Sequence, residues 1–271
     1  MKRFLLFIAV LFAWSAALCY TSQVIEVPAK AIKSPMKVTV ITPDSAAMPG
    51  ARFPVVYLLN GHGGDYTSWT TNTDPGLGRY ADQYGMVLVM PDGRDSWYWD
   101  SPKHPEMAME TFITTELVPY IDATFPTLPS PDKRAITGFS MGGHGALWLA
   151  MRHPDIFGSA GSMSGGVDIR PFPEKWHMNQ WLGPIGENRA SWDSHTVINL
   201  VPTLEDGTLN IIFDCGSGDF FAEVNENLHK ALLKKGIKHT YQSRPGVHSH
   251  KYWRRSAEDH IRFFDDNFRA K

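Results

Sequence analysis

The 271-residue sequence predicts an α/β fold: a mostly parallel sheet with antiparallel strands at its N-terminal edge, helices on both faces and a small irregular insertion. Three observations predict it. Apolar runs of strand length, such as Val55-Val56-Tyr57-Leu58-Leu59 and Met86-Val87-Leu88-Val89-Met90, are continuous rather than alternating, as in strands covered on both faces. Segments of helical period separate these runs, which is the pattern of crossover connections. A third short run, Ala135-Ile136, passes through Gly138-Phe139-Ser140-Met141-Gly142 straight into the helix-forming segment Ala146-Leu147-Trp148-Leu149-Ala150-Met151.

Taken in order, residues 23–27 and 37–42 read as two antiparallel strands without an intervening helix, so they belong at an edge. Residues 53–59 form a buried strand, 74–85 a short helix and 86–90 a second buried strand stopped by Pro91-Asp92-Gly93. An aromatic loop, Trp97-Tyr98-Trp99-Asp100, precedes a helix over 106–124, where Phe112, Ile113, Leu117 and Ile121 recur at helical spacing. Residues 157–163 read as a strand. Residues 165–206 have no clear period and carry Trp176, Trp181 and Trp192 among Pro and Gly, which marks the insertion. A strand at 209–213, an amphipathic helix at 221–235 ending at Gly236, a strand at 239–243 and a helix at 252–268 complete the chain.

Composition narrows the function classes. With 43% hydrophobic and 20% charged residues, the chain has enough apolar side chain for one domain over residues 20–271. A formal net charge of −2, with both signs interspersed, argues against a nucleic-acid face or an anionic-membrane patch. Lys2 and Arg3 precede an apolar run over residues 4–18 that ends near Ser15-Ala16-Ala17, so residues 1–19 read as a signal peptide and the mature protein as exported, with no membrane span. Leu18 before Cys19 is too bulky for a lipobox, which disfavours a lipoprotein. Removal of Cys19 leaves Cys215 alone, beside an apolar strand and expected to be a buried structural thiol.

The chemistry centres on Ser140. Glycines on both sides of Phe139-Ser140-Met141 let strand and helix approach closely, and the serine then takes a strained backbone that pushes its hydroxyl outward. A nucleophilic serine needs a base, an acid and an oxyanion hole, and loops beyond the carboxyl ends of parallel strands are where they belong. His248 is the favoured base, because Gly246 gives its loop a bend. His250 is its rival, and His260, inside a helix, is expected to face solvent. Asp219 follows a strand in a flexible Gly216-Ser217-Gly218 turn and is favoured as the acid over Asp214 at the strand's tip, although either could be a helix cap. Met141 offers one oxyanion N–H and the Asn60-Gly61-His62-Gly63-Gly64 loop the other. That loop lacks the Lys-Ser/Thr of a P-loop and the spacing of a dinucleotide site, so no organic cofactor is implied. His62 has no second His or carboxylate at a ligand spacing in the nearby sequence, so no metal is expected.

Together these motifs resemble the esterase D branch of the α/β-hydrolases. That branch includes S-formylglutathione hydrolases, tributyrin, feruloyl and acetylxylan esterases, and mycolyltransferases. The likeness is carried by Tyr57-Leu58-Leu59-Asn60-Gly61-His62-Gly63-Gly64, Pro91-Asp92-Gly93, Gly138-Phe139-Ser140-Met141-Gly142-Gly143, Ser162-Met163-Ser164-Gly165-Gly166, Asp214-Cys215-Gly216-Ser217-Gly218-Asp219 and Pro245-Gly246-Val247-His248, in order along nearly the whole chain. The resemblance implies the α/β-hydrolase fold, with Ser140 as nucleophile, Asp219 as acid, His248 as base, and His62 and Met141 as oxyanion donors through their backbone N–H groups. Two positions depart from it: Asn60 stands where relatives usually have His, and His250 where they often have Trp. The expected activity is hydrolysis of short acyl, acetyl or feruloyl esters, small or linked to polysaccharide. A thioesterase, an acyltransferase and a carbohydrate-binding module on the same scaffold are the alternatives.

Overall fold

A computed structural model of the chain describes residues 20–270; the expected signal peptide and Cys19 lie outside the described residues. Eight strands, β1 (Thr21–Val27), β2 (Met36–Thr42), β3 (Val55–Leu59), β4 (Val87–Pro91), β5 (Arg134–Gly138), β6 (Ser159–Met163), β7 (Asn210–Gly216) and β8 (Thr240–Arg244), make one sheet in the order β1-β2-β4-β3-β5-β6-β7-β8. β2 runs antiparallel to both β1 and β4, and every other pairing is parallel. β3 therefore has β4 on one side and β5 on the other. The strand order reverses there, so the crevice beyond the carboxyl ends of β3 and β5 is where such sheets bind ligands.

The continuous apolar runs are explained by two cores. Val55, Tyr57, Leu59, Val87, Val89 and Ile136 point into one, and Val56, Leu58, Leu88, Met90 and Ala135 into the other. The helices are α1 (Arg79–Tyr84), α2 (Met109–Thr111), α3 (Val118–Thr124), α4 (Met141–Arg152), α5 (Met178–Leu182), α6 (Arg189–Ser194), α7 (Ala222–Lys235) and α8 (His250–Ala270). Residues of α2, α3, α4 and α7 pack in the first core, and those of α1 and α8 in the second. Helices thus cover both faces, as the sequence predicts. Among the described residues no helix is long and apolar enough to cross a membrane.

Several boundaries shift. The helix expected over 106–124 begins at Met109 and contains a π turn over Phe112–Leu117. The helix expected over 74–85 shrinks to α1, after a π turn over Trp69–Thr73. The aperiodic insertion holds α5, α6 and a 3-10 turn at Val197–Thr203, all too short to show a period. α8 begins two residues earlier than its apolar pattern suggests, directly after the loop that carries His248. His260 does not face solvent. It is fully buried, on the same stripe of α8 as Trp253, Ala257 and Phe264, and it joins Thr137 Oγ1 through Nδ1 (2.8 Å) and Asp214 Oδ2 through Nε2 (2.9 Å).

Helix α4 is buried from Met141 to Met151, and a buried carboxylate ties down its far end. Glu110 accepts hydrogen bonds from Trp148 Nε1 (2.9 Å), Arg152 Nε (2.8 Å) and His153 Nε2 (2.7 Å). Burial pushes its pKa up, but the His153 and Arg152 bonds outweigh this and hold it below the usual range. A depressed carboxyl pKa contributes stability that is present above the unfolded value of about 4.3 and is lost as pH falls through the folded one. Glu110→Gln is therefore expected to destabilise the fold by about 2 kcal/mol near neutral pH. The gap to the wild type should close below about pH 4 in urea denaturation.

Candidate active site

Ser140 sits between β5 and α4 with φ 57° and ψ −120°, a strained conformation for any residue with a Cβ. Tight packing enforces the turn. A Cβ on Gly138 would lie 2.5 Å from the backbone carbon of Gly142, and one on Gly142 would lie 2.4 Å from the carbonyl oxygen of Leu59. The Ser140 N–H donates to the Met163 carbonyl at 2.9 Å, which anchors the turn to β6.

The loops after β7 and β8 carry the other two groups and are stitched together. Ser217 N–H donates to the Arg244 carbonyl (2.9 Å) and Gly218 N–H to the Gly246 carbonyl (2.9 Å). His248 Nε2 lies 2.9 Å from Ser140 Oγ, and its Nδ1 lies 2.9 Å and 3.1 Å from the two Asp219 carboxylate oxygens. Nδ1–H donating to the acid leaves Nε2 as an acceptor for the serine hydroxyl. The Asp219 carboxylate is sealed from solvent, while the His248 side chain keeps 16% of its exposure. Asp219 Oδ1 also accepts the Phe221 N–H (2.9 Å) ahead of α7, so it orders the helix start as well as holding the imidazole.

The rival groups are engaged elsewhere. Asp214 accepts from Ser256 Oγ (2.6 Å) and pairs with His260, inside the protein. His250 Nδ1 meets Thr73 Oγ1 at 2.9 Å, and burial, helped by neighbouring His248, lowers its pKa and favours a neutral ring. Cys215 is buried, and burial together with the Asp219 charge pushes its thiol well up, which keeps it unreactive.

Met141 opens α4, where a first-turn N–H has no acceptor within the helix. Among the described residues, nothing accepts the backbone N–H of Met141 or of His62. Asn60 is fully buried and braces the His62 loop. Its Oδ1 accepts Gly93 N–H (2.9 Å) and Tyr98 OH (3.1 Å), and its Nδ2 donates to the Gly61 carbonyl (3.0 Å).

The aromatic loop serves as a wedge. Trp97, Tyr98 and Trp99 are buried, and Trp99 Nε1 donates to His144 Nε2 at 2.8 Å. Burial pushes the His144 pKa down to about 3, so the ring is neutral, with Nδ1–H donating to the Gly166 carbonyl at 2.9 Å. The aromatic groups that do reach the serine lie elsewhere. A cleft of about 340 Å³ over Ser140 is lined by Trp176, Phe220, His250, Trp253 and the His62 loop. Phe220 is half exposed and lies over the His248 ring at 4.3 Å, while Trp253 meets that ring edge-on at 4.8 Å. Sequence reasoning missed Phe220, although its place beside Asp219 and outside the core of α7 was a usable signal.

Comparisons with known proteins agree with this architecture. An esterase of Mycobacterium tuberculosis (strain ATCC 25618 / H37Rv) is 36% identical over 136 residues, which are 49% of this chain and 30% of that protein. The chain thus matches less than a third of that relative's length. S-formylglutathione hydrolase of Rattus norvegicus is 27% identical over 267 residues, 89% of this chain and 92% of that protein. A solved ferulic acid esterase superposes with a TM-score of 0.81 at 24% identity, over 93% of this chain and 100% of that one, a likeness that shows the α/β-hydrolase fold. The model of the family described as "Putative esterase" matches residues 29–263, a span that holds the Ser140 turn and both stitched loops, and to that family this chain belongs.

Proposed function

We propose that this chain is an exported serine esterase in which Ser140 is the nucleophile, His248 the general base and Asp219 the group that orients it. The observation that carries this reading is the unbroken hydrogen-bonded run from Asp219 through His248 to Ser140 Oγ, on the floor of an aromatic cleft. As Oγ attacks the ester carbonyl, its proton passes to His248 Nε2, and the buried Asp219 charge stabilises the imidazolium. The N–H groups of Met141 and His62 hold the oxyanion. Collapse expels the alcohol, which takes the proton from Nε2. Water then attacks the acyl-enzyme with His248 again as base, freeing the acid and restoring Ser140.

The cleft suits a flat acyl group. Trp176, Phe220 and Trp253 offer ring faces and edges within reach of Ser140, and His250 adds a polar edge. Export places such an enzyme among acetyl and feruloyl esters of polysaccharide rather than with a cytosolic thioester. The length of the rat enzyme's likeness favours the thioester as a second reading. A panel of methyl ferulate, acetylated xylan, tributyrin and S-formylglutathione compared by kcat/KM separates them. Methyl ferulate is expected to lead. A lead for S-formylglutathione would reverse the substrate assignment. A fluorophosphonate probe is expected to label the wild type, and a carbohydrate-binding module would stay unlabelled.

A further inference from the structure

We propose that His62, Asp95 and His177 form a binding site for a zinc-class divalent cation at the rim of the cleft. The three come from separate loops, after β3, after β4 and before α5, yet one ligand atom from each lies within 4.8 Å of the other two. His62 Nε2 and Asp95 Oδ1 are 3.5 Å apart. Two ligands bound to one tetrahedral zinc at about 2.0–2.2 Å stand at about this separation. The third ligand comes from His177, whose side chain is exposed and whose ligand atom lies within 4.8 Å of the other two.

Three further features fit a ligand set better than a chance grouping. His62 Nε2 is sealed from solvent and has no hydrogen-bond partner among the described residues, leaving a lone pair or proton unspent. Asp95 Oδ1 is oriented by the Gly63 N–H at 2.7 Å, the kind of supporting bond that fixes a metal-binding carboxylate. Trp176 and His177 both hold positive φ, 51° and 56°, a strained pair of non-glycine residues that turns the His177 ring toward His62, with ring centroids 5.3 Å apart. Two imidazoles and one carboxylate with an open fourth position select zinc-class ions over calcium or magnesium. A cation held there would join the loop that carries His62 to the Trp176 wall, two sides of the same cleft. The site goes beyond the esterase reading and stands without it, because binding is measured with no substrate present.

Calorimetric titration of zinc chloride into the full chain tests the site. One saturable equivalent is expected, and Asp95→Asn and His177→Ala should each weaken it at least roughly tenfold, the loss that outer-shell changes alone can cause. His229 and His239, 2.8 Å apart on another surface, are the competing imidazole pair, and His229→Ala should leave the titration unchanged. Zinc should also raise the melting temperature of the wild type but not of His177→Ala. Since His177 is exposed, that variant stays decisive even where Asp95→Asn folds poorly. Absence of saturable binding, binding undiminished in His177→Ala, or binding lost in His229→Ala would each overturn the site.

Discussion

Ser140→Ala is expected to lower kcat for a short-chain p-nitrophenyl ester by about a millionfold, the size of loss seen when the nucleophile of such a run is removed. Ser68 carries the other hydroxyl lining the cleft, but its Oγ accepts the Asp65 N–H at 2.9 Å, whereas His248 Nε2 reaches Ser140 Oγ at 2.9 Å. Fold stability should hardly move. The alanine keeps the Cβ that the φ of 57° strains, and the loss is one part-buried hydrogen bond rather than a packed core contact. Circular dichroism and the melting temperature check the fold, and burst kinetics check the acyl-enzyme. Activity within tenfold of wild type in a folded variant would end the assignment of Ser140. A residual rate above background is still expected, since the Met141 and His62 N–H groups remain to bind an oxyanion.

His248→Ala should cost almost as much, on the order of 10⁵- to 10⁶-fold, because without the imidazole nothing takes the Ser140 proton. His250→Ala is the informative partner. It sits in the same cleft, and its ring meets those of Phe139 (5.4 Å) and Trp253 (4.9 Å). Its Nδ1 is spent on Thr73, so its loss should change KM through the shape of the wall and leave kcat within about tenfold. Equal losses of kcat in the two variants would mean that the proton path runs through both rings. An inverted order would move the base to His250.

Much of this was legible in residue order because local chemistry carries it. Continuous apolar runs announce strands covered on both faces, and the alternation of Val55, Tyr57 and Leu59 with Val56 and Leu58 between two cores is why no polar residue interrupts them. Gly138 and Gly142 announce the turn, since only a missing Cβ lets β5, α4 and Leu59 come so close. Less was legible where distance along the chain is large. His260 looked like a surface residue because its helix is charged overall, yet its register with Trp253 and Phe264 puts it in the core. The aromatic Trp97-Tyr98-Trp99 loop is a buried support for α4, while Phe220 and Trp253 are cleft walls.

The sequence alone thus determined the sheet plan, the turn at Ser140 and the order in which Ser140, Asp219 and His248 follow one another. Periodicity, glycine placement and loop position are properties of neighbouring residues. Only the tertiary structure sets His248 rather than His250 against Ser140 Oγ, and Asp219 rather than Asp214 against His248, since each contact is a matter of a few ångströms between loops far apart in the chain. It also brought Asp95 and His177 to His62, a grouping that no spacing in the sequence foretells, because folding sets those distances and chain separation does not.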